Sequence, residues 1–292
     1  MSGGRIGSAP PRGPGQVGDR HLLPTRLGRL HVRTLAPGTA APPGAARPPL
    51  LLLHLAPQSS RMWDRVAPLL ATDRLVVLPD RIGFGDSDHV ERAVPFAEYA
   101  AATLDAVDRL AEATGADLSR FDVVGAHTGS CEAVELAVTQ TERVRRCGVL
   151  ALPVLTRAQA ETFRGEYQPP REPQLDGSHL LDPWQWWLRW LPAAWGLDLV
   201  HQRTLDVLKA EPDAWWAYHS VFDYAFAEAL ARVTQPFLVL APRDDLWELT
   251  QTGLALCPPQ TELVDLPDVT LEGWWRHPDE LAGHMRRFLD TP

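Results

Sequence analysis

The feature that most constrains the fold of this chain is an alternation of short apolar runs with amphipathic stretches. Four apolar runs lie within residues 50–154, namely "LLLLHL", "RLVVLPD", "FDVV" and "RCGVLALPV". Runs of this length that are apolar on both faces are typical of buried parallel strands. Because segments with helical spacing separate them, we predict a mostly parallel sheet with right-handed crossovers, flanked by helices.

The alternation stops near residue 155 and resumes near residue 234. The intervening stretch contains Pro-rich loops, helix-like pieces and seven of the eleven tryptophans. "PFLVLAPRDD", a helix, "TELVDLP" and a last helix beginning near Pro278 then restore the pattern. We therefore predict an α/β core in two parts, residues 21–153 and 234–292, with a helical Trp-rich cap at 154–233. Residues 1–20 are rich in Gly, Pro and Arg, which is typical of a disordered tail.

Composition excludes several classes of function. The net charge of −9, with no basic stripe, argues against nucleic acid as a partner. No apolar run reaches the roughly 18 residues of a membrane span, and no signal core is visible, so we expect a cytoplasmic protein. The three widely spaced cysteines form no zinc pattern, and we expect neither a metal nor an organic cofactor. A homodimer is left open.

Polar clusters follow the apolar runs, where ligands of open parallel sheets bind. They read "HLAPQSS", "DRIGFGDSD", "GAHTGS" and "PRDD". In this order, and with "LPDVTLEGWWRHPDELAGHMRRFL" after them, they resemble the site loops of capped α/β-hydrolases over roughly residues 21–153 and 234–292. The resemblance implies the α/β-hydrolase fold, in which a nucleophile, a base and an acid act beside an oxyanion hole.

Two of the three triad positions depart from that family. His127 occupies the nucleophile position of the G-x-[nucleophile]-x-G elbow, and Leu271 aligns with the base histidine. Asp245 aligns best with the acid, and Asp244 lies next to it. The resemblance places the backbone N–H groups of Ala56 and Thr128 in the oxyanion hole.

His127 has two interpretations. It is either a space-filling residue of a decayed elbow or the reagent itself. Imidazole, with an ordinary pKa near ~6.5, is suited to acid–base catalysis at neutral pH. The N-terminus of the following helix should lower that pKa, and Asp245 should raise it if the two side chains are close.

The cap and its surroundings supply the candidate substrate contacts. The tryptophans either pack against the core or line a cavity for a bulky hydrophobic or aromatic substrate. In the family, the histidine at the position of His54 braces the oxyanion loop. Contact with the substrate is the second interpretation of His54. The candidate substrate-binding residues are His54, Trp186, Trp187, Trp190, Trp215, His219 and Leu271.

These observations favour an enzyme without a Ser-His-Asp triad. We expect non-hydrolytic acid–base chemistry, such as a cyclisation, elimination, isomerisation or lyase step, with His127 as general acid or base and Asp245 orienting it. The Ala/Arg/Pro/Gly-rich composition suggests a bacterial specialised pathway. A hydrolase that uses His127 on water or as a nucleophile, and a non-catalytic ligand-binding protein, are the alternatives.

Overall fold

A central sheet of eight strands organises the molecule, as seen in a computed structural model that describes residues 18–37, 47–166, 172–191, 195–211 and 213–291. The strand order is β1-β2-β4-β3-β5-β6-β7-β8. β2 pairs antiparallel with β1 and β4, and all other neighbours are parallel, which confirms the predicted mostly parallel sheet. The strands are β1 (Asp19–Thr25), β2 (Gly28–Leu35), β3 (Leu50–Leu53), β4 (Val76–Pro79), β5 (Phe121–Ala126), β6 (Val144–Leu150), β7 (Phe237–Pro242) and β8 (Thr261–Leu266).

Helices cover both faces of the sheet. The described helices are α1 (Ala67–Leu70), α2 (Phe96–Thr114), α3 (Thr128–Thr139), α4 (Arg157–Glu166), α5 (Ser178–Trp190), α6 (Leu197–Ala210), α7 (Asp213–Asp223), α8 (Phe226–Leu230), α9 (Trp247–Gly253), α10 (Gly273–Arg276) and α11 (Pro278–Asp290). Alternate residues of β3 point to opposite faces, so Leu51 and Leu53 join one apolar core with α2 and α3. Leu50 and Leu52 join the other core with α1 and α11.

The insertion between β6 and β7 contains α4 to α8, within the span predicted for the cap. Two apolar contacts attach it to the core. Ala210 of α6 and Ala214 and Ala217 of α7 pack with Ala56 and Phe84 of the core loops. A second cluster joins α5 and α6 to Leu271 and Trp275, which follow β8. The cap therefore contacts the oxyanion-loop segment and the segment that follows the last strand.

The N-terminal boundary differs slightly from the prediction. β1 begins at Asp19, so the last residues of the predicted 1–20 tail belong to the sheet, because they pair with β2. Residues 1–17 lie outside the described part of the chain. Within that described part, no helix is long and apolar enough to cross a bilayer.

Candidate active site

His127 lies at a sharp turn between β5 and α3, where its backbone adopts φ 48° and ψ −110°. Such a left-handed conformation is strained for a residue with a side chain. The two flanking glycines make the turn possible. A Cβ at Gly125 would lie 2.0 Å from the Gly129 carbonyl oxygen, and a Cβ at Gly129 would lie 2.5 Å from the Leu53 carbonyl oxygen. The G-x-x-x-G spacing is therefore required by close backbone approach.

The side chain of His127 is held by Asp244. Its Nε2 lies 2.8 Å from Oδ2 of Asp244. The other carboxylate oxygen, Oδ1, accepts a hydrogen bond of 3.0 Å from the Leu246 backbone N–H. The Asp244 side chain is fully buried and that of His127 is 10% exposed. Both oxygens of Asp244 are thus committed, and the imidazole is fixed in one orientation.

The alignment favoured Asp245 as the acid, and the structure gives the hydrogen bond to Asp244 instead. Asp245 is exposed, although a carboxylate oxygen of it lies within 4.8 Å of the His127 and Asp244 ligand atoms. The two aspartates occupy the turn between β7 and α9, and the geometry of that turn directs the earlier one inward. Asp245 therefore acts on His127 only through its charge.

The pKa of His127 is raised to about 9. Burial lowers this pKa, but the charge and hydrogen bond of Asp244, followed by the charges of Asp245 and Glu272, outweigh burial. The sequence predicted that Asp245 would raise this pKa if it lay close, and the largest raising contributions come from its neighbour Asp244. His127 is consequently an imidazolium at neutral pH, and Asp244 stabilises it.

The expected oxyanion hole is occupied by a side chain of the protein. The backbone N–H of Ala56 donates a 3.0 Å hydrogen bond to Oγ1 of Thr128. Both residues are buried. One of the two N–H groups expected to stabilise negative charge is therefore satisfied internally.

Leu271, at the position aligned with the base histidine, packs between the core and the Trp187 cluster of the cap. The next residue, Glu272, is fully buried with φ 63°. Its Oε2 accepts hydrogen bonds of 2.9 and 2.8 Å from Nε and Nη2 of Arg203 in α6. Gln58 Nε2 donates to its Oε1. A buried ion pair thus ties the cap to the segment after β8.

Sequence reasoning missed this ion pair. Glu272 stands directly beside Leu271, and that adjacency was the only local signal of a carboxylate near the site. Arg203 lies 69 residues away in the cap, so no spacing or periodicity connects the two residues. Arg203 also contacts Asp206 at 3.4 Å, and Asp206 accepts a hydrogen bond of 3.0 Å from Ser59.

His54 is engaged on both ring nitrogens. Nδ1 donates to the Leu55 carbonyl at 2.8 Å, and Nε2 accepts from the Arg81 backbone N–H at 2.9 Å. Burial, with the Arg81 charge, lowers the pKa of His54 to about 4, so the ring is neutral. These bonds are those of a loop brace, and they leave neither ring nitrogen available for a substrate.

The four candidate tryptophans occupy different environments. Trp187 is 2% exposed and packs with Leu191, Leu199 and Val200. Trp186 and Trp190, by contrast, are 42% and 54% exposed. Trp215 is half-buried and its ring lies 4.2 Å from that of His219. Trp187 therefore forms part of the cap interior, and the exposed pair faces solvent.

His219 belongs to a polar group within the cap. Its Nδ1 lies 2.8 Å from Nη1 of Arg164, which also pairs with Asp223. Burial, followed by the Arg164 charge, lowers the pKa of His219. These contacts join α4 to α7 through Nδ1 of His219, whereas its buried Nε2 has no hydrogen-bond partner among the described residues.

Two groups of described side chains have the ligand types and spacing of a metal site: His127 with Asp244 and Asp245, and His31 with Asp80 and Asp86. In each group the histidine nitrogen already forms a 2.8 Å hydrogen bond to an aspartate oxygen. In the structure, each of these contacts is therefore a hydrogen bond between a histidine and an aspartate.

The chain is similar to known proteins over its sheet core and cap. The sequence model of the "alpha/beta hydrolase fold" family matches residues 48–169. A fluoroacetate dehalogenase from Burkholderia sp. is 36% identical over 107 residues, which is 37% of this chain and 35% of the dehalogenase. The match therefore spans about a third of that relative's length.

Solved structures extend the likeness to nearly the whole chain. A hydrolase from Pseudomonas aeruginosa superimposes with a TM-score of 0.71 at 20% identity, covering 94% of this chain and 99% of that one. The enol-lactonase from Burkholderia xenovorans superimposes with a TM-score of 0.72 at 16% identity, covering 91% and 98%. The architecture and these superpositions show that this chain has the α/β-hydrolase fold.

Proposed function

We propose that this protein is an enzyme that performs acid–base chemistry at His127 on a bulky hydrophobic substrate, without a covalent serine intermediate. The reaction is a cyclisation, elimination, isomerisation or lyase step. The observation that carries the proposal is the 2.8 Å contact between His127 Nε2 and the buried carboxylate of Asp244. A histidine that only filled space would not need an orienting carboxylate.

The reactive atom is Nδ1 of His127. Because Nε2 is committed to Asp244, Nδ1 remains for a substrate, and it has no hydrogen-bond partner among the residues that the structure describes. With a pKa of about 9, the ring carries a proton on Nδ1 at neutral pH. The resting enzyme is therefore prepared to donate a proton, and it becomes a general base above pH 9.

The hydroxyls nearest the elbow do not replace the missing nucleophile. Thr128 Oγ1 accepts from Ala56, and Ser130 Oγ lies against the carbonyls of Gly125, Leu150 and Ala151. In the described part of the chain, no hydroxyl hydrogen bonds to the His127 ring. An activated serine or threonine needs such a bond to a base, so an acyl-enzyme step has no support here.

Hydrolysis is the second candidate, and the names of the relatives favour it. Two of the similar solved structures are named a hydrolase and an enol-lactonase. In this chain, neutral His127 would activate water, and the rate would rise with pH until the ring is fully deprotonated above pH 9.

Two generic probes separate the candidates. A nitrobenzisoxazole reports proton abstraction, and para-nitrophenyl butyrate in H₂¹⁸O reports hydrolysis. Proton-transfer chemistry predicts His127-dependent opening of the benzisoxazole, with a rate that rises to a plateau above pH 9 and is lost in His127→Gln. Asp245→Asn changes an exposed carboxylate that lies near the ring without a hydrogen bond to it. This variant is the matched control and should retain most of the rate.

Each other outcome identifies a rival. His127-dependent incorporation of ¹⁸O into butyrate, without benzisoxazole turnover, would establish the hydrolase. Equal rates for wild type and His127→Gln on both probes would favour the alternative of a non-catalytic ligand-binding protein.

A further inference from the structure

Thr128 contributes more than a backbone N–H to this site. Its hydroxyl oxygen lies 3.0 Å from the Ala56 nitrogen, in the place where an oxyanion would accept that N–H. Ala56 is 7% exposed and Thr128 is 5% exposed, so bulk water does not serve this donor. The buried N–H needs an acceptor in the absence of ligand, because an unsatisfied buried donor is costly.

The threonine can leave this position without movement of the backbone. It is the first residue of α3, and its side chain has alternative staggered rotamers about χ1. By contrast, the Ala56 N–H is fixed by the packing of its loop against Phe84 and against Ala214 and Ala217 of the cap. A ligand oxygen can therefore replace the Thr128 hydroxyl as the acceptor of the Ala56 N–H.

We propose that the Thr128 hydroxyl is an internal plug of the oxyanion hole, displaced when a ligand places a negatively charged oxygen against the Ala56 N–H. The ligand class is an enolate or phenolate on an apolar body, because the surroundings of Ala56 are the apolar side chains of Phe84, Ala214 and Ala217, with Tyr218 beside them. This inference rests on the proposed chemistry at His127, which would generate such an oxygen.

The plug differs in its consequences from a permanent structural brace. A brace stabilises the fold equally with and without ligand, so its removal leaves ligand affinity unchanged. A plug competes with the ligand, so its removal strengthens binding. The chain offers a matched brace for comparison: Thr250 is buried, and its Oγ1 accepts a 3.0 Å hydrogen bond from the Leu152 backbone N–H.

The test is binding of para-nitrophenolate, an enolate analogue whose absorbance reports its ionisation, to the wild-type protein and to variants. Thr128→Val keeps the shape of the side chain and removes the acceptor. Relief of one competing hydrogen bond should tighten binding by about fivefold. Thr250→Val should leave the affinity within about twofold of wild type, and Thr128→Ser, which keeps the hydroxyl, should resemble wild type.

Weaker binding by Thr128→Val would show that the hydroxyl contacts the ligand, and unchanged binding would show a brace; either result overturns the plug. Phenolate binding by neither wild type nor Thr128→Val would also overturn it. Thermal unfolding of the two valine variants checks that both fold. The binding assay needs no turnover, so it is independent of the proposed chemistry. If Thr128→Val bound phenolate more tightly and His127→Gln kept full activity, the catalytic role of His127 would be refuted and the plug would stand.

Discussion

The imidazole of His127 and the carboxylate of Asp244 form a buried ion pair, with Nε2 and Oδ2 2.8 Å apart. The pair has the hydrogen-bonded arrangement of the histidine and the acid of a catalytic triad, and it is located at the elbow. Its strength sets the protonation state of the site, and so it is the first relationship to test.

Replacing Asp244 with Asn should lower the pKa of His127 from about 9 to near or below its usual value. Burial would then act without the adjacent charge that opposes it. NMR titration of the imidazole measures this directly and needs no substrate. Asp245→Asn, which neutralises the exposed neighbour, should lower the pKa by less than about one unit. Equal shifts in the two variants would contradict the assignment of Asp244 as the partner.

The same ion pair predicts how stability depends on pH. The folded-state pKa of His127, about 9, lies above the unfolded value near ~6.5. The stabilisation is therefore fully present below about pH 6.5 and is lost as the pH rises through 9. A raised pKa of this size corresponds to about 3 kcal/mol.

Denaturant unfolding between pH 6 and pH 10 measures that loss. His127→Gln has no titrating ring at this position, so its stability should change much less across the same range. A wild-type curve as flat as that of the glutamine variant would show that the ring is neutral in the folded protein.

The Arg203–Glu272 pair should carry a large stability effect because both side chains are fully buried. Arg203→Met leaves an unpaired buried carboxylate and should cost about 3–5 kcal/mol of unfolding free energy. Arg109 and Glu112 supply the control: their ion pair has the same 2.8 Å separation and is exposed. Arg109→Met should cost less than about 1 kcal/mol. Similar costs for the two variants would mean that Glu272 is hydrated.

Gly129→Ala should destabilise the protein by about 3 kcal/mol or more, because the new Cβ would collide with the Leu53 and His54 carbonyl oxygens. Gly283→Ala is the matched change. Gly283 lies in α11, where the nearest atom to an added Cβ is Arg287 Nη1 at 4.0 Å. That variant should gain about 0.5–1 kcal/mol from helix propensity. Thermal unfolding of the pair measures both signs, and tolerance of alanine at residue 129 would refute the tight elbow.

The different exposures of two cap tryptophans predict that truncation of one costs much more stability than truncation of the other. Trp187→Ala should cost about 3–5 kcal/mol, because it removes a buried ring between α5 and α6. Trp190→Ala, at 54% exposure, should cost less than about 1 kcal/mol. The difference is read from denaturant midpoints. A costly Trp190→Ala would indicate that the exposed ring is covered in solution.

The sheet, the elbow and the inserted cap could be predicted because local patterns carry them. Apolar runs identify β3 to β7. The two glycines around His127 identify a tight turn, because the backbone segments there approach too closely for a side chain. The choice between Asp244 and Asp245 could not be made, because neighbouring residues of a turn differ only in which side chain the tertiary structure directs inward.

The remaining features of the site depend on distant parts of the chain. The Ala56–Thr128 hydrogen bond joins residues 72 positions apart, and it involves a hydroxyl that fits equally well into a helix start. The direction of the His127 pKa shift depends on how deeply the ring is buried and how close the carboxylates lie. Neither quantity can be derived from the sequence. Leu271 and Trp187 were both candidate substrate contacts, but nothing in the sequence indicated that they pack in the same cluster.

The packing of Leu271 limits how this site could be converted to a different chemistry. A serine–histidine pair at the aligned positions would require a serine at residue 127 and a histidine at residue 271. The first change alone discards the ion pair with Asp244 and gains no base. The second alone inserts a polar ring among Trp187, Leu199 and Trp275, where the cap meets the core. Each single change therefore loses an interaction without completing a serine–histidine pair, so the two changes would have to be made together.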